Sequence, residues 1–140
     1  MFMVTRKLRR WSDRGAAAVE FALVVPVLIL LIFGSIEFGL AVNVRTMIGN
    51  AAREGVRVAS LGGSVADVQA SALNALGPVS GTKTVVYTCT TLVGSCVPGA
   101  AKGGDVATVV VTVNYTGITG MFPQLTNATL TAKSYMRIEG

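Results

Sequence analysis

The feature that most constrains this chain is an uncharged apolar run at residues 21–36, bracketed by Glu20 and Glu37. On a helix rising about 1.5 Å per residue, the two carboxylates would lie about 25 Å apart, close to the roughly 30 Å hydrocarbon core of a bilayer. A helix through this run can therefore span a membrane. The simplest prediction for the acids is that Glu20 lies at the cytoplasmic interface and Glu37 at the outer one.

Positive charge is concentrated before the apolar run. Residues 1–15 carry five basic residues and one acid, which gives this segment a net charge of +4. The whole chain has a net charge of +5, so nearly all of the excess positive charge lies in this segment. Because Lys and Arg are enriched on the cytoplasmic side of membrane helices, we expect the N-terminus to be cytoplasmic and the C-terminal part to cross the membrane. The basic segment would then face anionic lipid, and nucleic-acid binding is not predicted.

We expect one long helix over residues 16–60, because apolar positions keep helical spacing beyond the run until Gly62 and Gly63 end it. Its first part, residues 16–42, is the predicted transmembrane or assembly segment. Gly49 and Gly55 each cost about 1 kcal/mol relative to alanine in a helix. They are therefore expected where backbones pack closely or where the helix bends.

Several residues in the predicted membrane segment bear on helix packing. Pro26 would kink a helix in water, but membrane helices tolerate proline because local adjustments and neighbouring helices satisfy the freed carbonyl. Gly34 is small, and Ser35 and Gly39 form a pair of small residues four positions apart. Such a pair lets a second helix approach closely.

Residues 43–140 are predicted to form a small extracytoplasmic α+β domain. Ser64 should cap a short second helix over residues 65–76, and the hydrophobic period then changes from 3.6 to 2. Strands are predicted at residues 82–89, 106–115 and 128–138, in a three-stranded antiparallel sheet whose apolar face the helices cover, with a loop at residues 117–125. The residues predicted to face inward on the last two strands are Ala107, Val109, Val111, Val113, Tyr115, Ala128, Leu130, Ala132, Met136 and Ile138.

The two cysteines, Cys89 and Cys96, both lie in the part expected to cross the membrane. An oxidising compartment favours a disulfide between them, which would staple a small loop; two unpaired thiols are the alternative. The chain contains no histidine, so two thiolates would leave a zinc shell half empty, and neither a metal site nor a cofactor is predicted.

The sequence does not indicate an enzyme. It has no histidine, no glycine-rich phosphate loop and no nucleophile motif, and its acids outside the apolar segment are scattered. Arg53 and Arg57 lie four residues apart and could contact an anion or an acidic partner. We favour instead a solvated helix face with Glu54 beside them, because charges at this spacing are routine on helices.

Three segments of the chain carry a family resemblance. They are Arg14-Gly15-Ala16-Ala17-Ala18-Val19-Glu20-Phe21-Ala22 with Pro26, Gly34-Ser35-Ile36-Glu37-Phe38-Gly39, and Ala51-Ala52-Arg53-Glu54-Gly55-Val56-Arg57. Together they resemble the TadE-like family, the minor pilin-like proteins of the tight-adherence (Flp, type IVc) pilus system. The resemblance covers nearly the whole chain and is most specific in its first 60 residues.

The resemblance implies a processed inner-membrane pseudopilin. Gly15 would be the last residue of a prepilin leader at residues 1–15, and a prepilin peptidase would cut before Ala16. Glu20 would then be the fifth mature residue and the assembly glutamate. The implied partners are that peptidase, other pilin subunits and the inner-membrane assembly platform. Glu20-Phe21, where major Flp pilins usually have Glu-Tyr, and the size of the C-terminal domain both indicate a minor component.

Two other interpretations remain open from the sequence. The chain could be an uncleaved single-pass anchor that presents a small periplasmic adaptor domain of the same apparatus. It could also be an exported protein with an ordinary signal peptide, although the apolar segment continues past Glu37 and is long for one. The mass of the mature N-terminus separates the first alternative from a processed pseudopilin, and recovery as a soluble periplasmic protein would indicate the second.

Overall fold

The computed structural model describes residues 12–117 and 128–139. The elements are two helices followed by three strands, which confirms the predicted α+β fold. Most of the predicted basic leader and most of the predicted loop at residues 117–125 lie outside the described residues. The bounds are α1 Ser12–Ser60, α2 Val65–Leu76, β1 Thr82–Thr90, β2 Val106–Tyr115 and β3 Ala128–Arg137.

The chain divides into two compact units, Met1–Ile36 and Glu37–Gly140. In the first unit the described residues are helical, and α1 continues through Pro26. The side chains of residues 15–36 are exposed, apart from the half-buried Val25 and Gly34. Among the described residues, the helix Gly15–Ser60 is long and apolar enough to cross a membrane.

The second unit is built on an antiparallel sheet with strand order β1-β2-β3. The predicted inward positions of β2 are all buried, because the period-2 pattern turns every second side chain to one face. The C-terminal part of α1 and the whole of α2 share the core with this face. The hydrophobic helix residues in the core, each with at most 1% exposure, are Ile48, Ala51, Ala52, Val56, Ala59, Val68, Ala72 and Leu76.

Helix α2 has the predicted bounds and the predicted cap. The Ser64 hydroxyl accepts from the Asp67 amide at 3.2 Å, and the Ser64 amide donates to the Asp67 carboxylate at 3.1 Å. The Ser64 hydroxyl also donates to Asp67 Oδ2 at 2.6 Å, and this bond, together with the one from the Ser64 amide, lowers the pKa of Asp67. The reciprocal pair satisfies two groups that the first helical turn leaves open, which fixes where α2 begins.

Strand β3 departs from the predicted pattern at its end. Leu130 and Ala132 are half-buried as expected, but Met136 is 41% exposed. The strand ends at Arg137, one residue earlier than predicted, and Ile138 is buried at 4% exposure. The Ile138 amide donates to the Asp105 carbonyl at 2.7 Å. This bond keeps the chain beside the start of β2, although Ile138 is no longer part of the strand.

Candidate functional site

The predicted processing and assembly residues lie on the exposed N-terminal part of α1. Gly15, Ala16 and Glu20 are all exposed in the first unit, and a Cβ added at Gly15 would meet no atom within 4 Å. Glu20 is four residues after Ala16, which is about 6 Å along a helix axis. The Glu20 carboxylate and the backbone nitrogen of Ala16 are therefore about one turn apart along α1.

The apolar surface that follows is large and uncovered within its own unit. Phe21 and Leu23 are each 70% exposed, and Leu31 is 64% exposed. Exposed apolar patches of this kind mark membrane or protein interaction sites, because monomeric soluble proteins rarely carry them. Lipid tails, other helices, or both would cover the surface.

The predicted packing residues are placed along this same helix. Pro26 does not end α1, and the Ser35 hydroxyl donates to the Leu31 carbonyl at 2.7 Å. Because of this bond the serine oxygen lies against its own helix, so the side chain projects little from the helix surface. A Cβ at Gly39 would meet no atom within 4 Å, so that face is open for the close approach that the spacing predicts.

Glu37 is not placed as the sequence predicted. Its side chain has 0% exposure in the second unit, whereas an acid at an outer membrane interface would face headgroups or water. Tyr115, at the end of β2, is 4% exposed, and its hydroxyl has no hydrogen-bond partner among the described residues. Burial, and secondarily the charge of Glu37, raise the pKa of Tyr115. Sequence reasoning missed this buried polar pair.

Of the two arginines Arg53 and Arg57 on α1, Arg57 forms an ion pair with Glu54. The Arg57 Nη2 atom lies 2.7 Å from Glu54 Oε1, and its Nε atom donates to Oε2 at 3.0 Å. This forked contact lowers the pKa of Glu54 and raises that of Arg57. Arg57 is thus engaged by the acid beside it, as the solvated-face interpretation expects.

The two cysteines form a disulfide, as predicted, with Cα atoms 5.1 Å apart. They clamp a hairpin in which the Thr91 amide donates to the Gly94 carbonyl at 2.7 Å. Asp105 has a ligand atom within 4.8 Å of both sulfurs. Because those sulfurs are bonded to each other, they are not thiolates and cannot ligate a metal ion in this state.

Comparison with known families adds one finding. Residues 15–57 match the model of a family described as TadE-like protein, which confirms the resemblance over that segment. The match begins at Gly15, covers the apolar run and ends at Arg57, three residues before the end of α1. Neither the curated proteins nor the solved structures include a match to this chain.

Proposed function

We propose that this chain, whose residues 15–57 match the TadE-like family, is a minor pilin-like (pseudopilin) component of a Tad/Flp-type pilus. A family of pilus components, and the membrane-capable helix found among the described residues, fit a pilus-associated membrane protein. The observation that carries the proposal is that the family match coincides with the uncovered apolar surface of α1. A helix with such a surface is suited both to a bilayer and to a bundle of like helices.

Processing before Ala16 follows from the same resemblance. In this proposal a prepilin peptidase removes residues 1–15 on the cytoplasmic side, while residues 43–140 lie in the periplasm and later on the pilus. The +4 charge of residues 1–15 supports this orientation. Cleavage would leave a free amine on Ala16, at the exposed end of the apolar helix.

Glu20 is the proposed assembly residue. Inside a bundle of apolar helices a carboxylate is retained only when it is paired, since an unpaired charge there is strongly destabilising. The Ala16 amine of a neighbouring subunit can supply that charge, because the amine and the acid lie one helical turn apart along the chain. The pair would fix the axial register of one subunit against the next.

The test replaces Glu20 by alanine in the natural producing cell, with Glu139→Ala as the matched control because Glu139 is an exposed acid outside the apolar helix. We expect Glu20→Ala to insert into the membrane at the wild-type level but to fall at least tenfold in sheared pili. Glu139→Ala should assemble normally. Both proteins are quantified by mass spectrometry in membrane and pilus fractions.

Normal assembly of Glu20→Ala would show that this acid only occupies a membrane interface. Absence of the wild-type chain from pili, with Met1 intact in the membrane, would support the uncleaved anchor with a periplasmic adaptor domain.

A further inference from the structure

One face of the sheet is covered by helices, and the opposite face is covered by no described element. Threonine occupies most of its outward positions. The Thr112 and Thr131 hydroxyls lie 3.2 Å apart, and Thr129 donates to the Asn114 side chain at 3.1 Å. No Asp or Glu occurs at any outward position of β1, β2 or β3. The face therefore presents hydroxyl groups without negative charge.

Strand β3 adds two cations and an aromatic ring to this face. Lys133, Tyr135 and Arg137 alternate along the strand and point to the same side, opposite Val110, Thr108 and Val106 of β2. All three are exposed, Tyr135 by 73%. None of them makes a hydrogen bond or an ion pair within the described residues. The cations are about 14 Å apart along the strand, with the ring between them.

The need for a soluble surface does not by itself explain this combination of side chains. Threonine alone is explained by its preference for strands. A largely exposed tyrosine between two cations that have no partner among residues 12–117 and 128–139, on a face whose strand positions carry no acid, is complementary to an extended anion with apolar ring faces. Arg and Lys bind carboxylates, an aromatic ring offers a flat apolar platform, and threonine hydroxyls both donate and accept hydrogen bonds.

We propose that this threonine-rich face, with Lys133, Tyr135 and Arg137 along its edge strand β3, binds an acidic polysaccharide. Uronate carboxylates pair with the two cations, a sugar ring lies on Tyr135, and sugar hydroxyls bond to the threonines. The choice of a polysaccharide over a nucleic acid rests on the proposed function, which places the domain outside the cytoplasm. Exposed ion pairs are individually weak, so many copies along a pilus would supply the avidity.

The test measures binding of the full-length protein, reconstituted at many copies per phosphatidylcholine liposome, to immobilised alginate, a polyuronate, and to dextran, a neutral polysaccharide of matched length. The decisive variant is Lys133→Ala/Arg137→Ala, with Tyr135→Ala as a second. Arg45→Ala/Arg53→Ala is the control, because it removes two exposed cations from α1 and changes the net charge equally. Near-ultraviolet circular dichroism checks that each variant keeps the wild-type fold.

We expect alginate binding that weakens with salt, no dextran binding, a loss of at least tenfold in Lys133→Ala/Arg137→Ala, and a three- to tenfold loss in Tyr135→Ala. The control should stay within twofold of wild type. The basic leader is identical in all variants, so equal affinity of all variants would assign any binding to the leader and overturn the proposal. Equal or tighter binding of duplex DNA would also overturn it.

Failure here leaves the proposed pilus function standing if Glu20→Ala still blocks assembly. Conversely, alginate binding through this face by a chain that is absent from pili would contradict only the proposed function.

Discussion

At the scale of single residues, the buried phenol of Tyr115 has a measurable pH dependence. Its pKa is raised above 10.0 by burial and by the charge of Glu37, so the folded state holds the proton more tightly than the unfolded state. The resulting stabilisation is fully present below the unfolded value and is lost as pH rises through the folded one. The effect is therefore confined to alkaline solution.

Replacing Tyr115 by phenylalanine should remove this alkaline effect. At pH 7 we expect a change of less than about 1 kcal/mol, because the hydroxyl that is lost has no hydrogen-bond partner among the described residues. Above pH 10 the variant should lose less stability than wild type, as measured by denaturant unfolding in detergent. Tyr135→Phe, at an exposed position, is the control. Parallel pH profiles for wild type and Tyr115→Phe would contradict the assignment.

The burial of Glu37 could not be predicted from the local pattern. Its distance from Glu20 matches a bilayer, so the spacing alone favours an interface. It is buried within the second unit, where its charge acts on Tyr115, 78 residues away along the chain. Periodicity within one helix carries no information about such a contact.

At the scale of elements, two glycines in α1 occupy opposite environments. A Cβ at Gly55 would lie 3.1 Å from both the Ala72 Cβ atom of α2 and the Val109 Cγ1 atom of β2. At Gly49 it would meet nothing within 4 Å. Of the two roles that the sequence left open for these glycines, close packing is the one that applies to Gly55. At Gly55, helix α1 packs against both helix α2 and strand β2.

Leucine at the two positions should therefore have opposite effects. Gly55→Leu forces side-chain volume into a filled contact, and we expect a loss of about 1–3 kcal/mol. Gly49→Leu gains helix propensity in open space, so its stability should be unchanged or raised by up to about 1 kcal/mol. Thermal unfolding followed by tyrosine circular dichroism compares the variants. Equal destabilisation at both positions would refute the close packing at Gly55.

The clamped hairpin between β1 and β2 is the second element with a direct test. Cys89 and Cys96 are seven residues apart, and loop-closure entropy for such a short loop predicts a stabilisation of about 2–3 kcal/mol. Cys89→Ala/Cys96→Ala should lose about that amount in denaturant unfolding. Reductant should weaken wild type similarly and leave the double variant unchanged. A response of the double variant to reductant would contradict this account.

Helices and strands with a regular hydrophobic period were predictable from the sequence, but the residues at which they end were less so. Helix α2 and strand β2 have the expected bounds because a capping serine, a terminal glycine and strict alternation mark them locally. Strand β3 differs because its last residues are governed by the Ile138 bond to Asp105. In α2, Val68, Ala72 and Leu76 are buried, whereas the apolar side chains of Val65 and Leu73 are 37% and 41% exposed.

At the scale of the whole molecule, the candidate site was predictable to the extent that it lies in one helix. Gly15, Glu20 and the apolar run are contiguous, and the family match covers them. Alternation along the last strand predicts that Lys133, Tyr135 and Arg137 point away from the core. That they have no partners within the described part of the chain depends on contacts between strands, which alternation in a single strand does not specify.

The central claim is that this chain is trimmed before Ala16 and assembled with similar helices, and the mass of its native N-terminus tests it most directly. Protein from membranes and from sheared pili would be digested, and its N-terminal peptide identified by mass spectrometry. The account predicts a peptide that begins at Ala16 in the pilus fraction, together with loss of residues 1–15. A peptide that begins at Met1 in every fraction would contradict it.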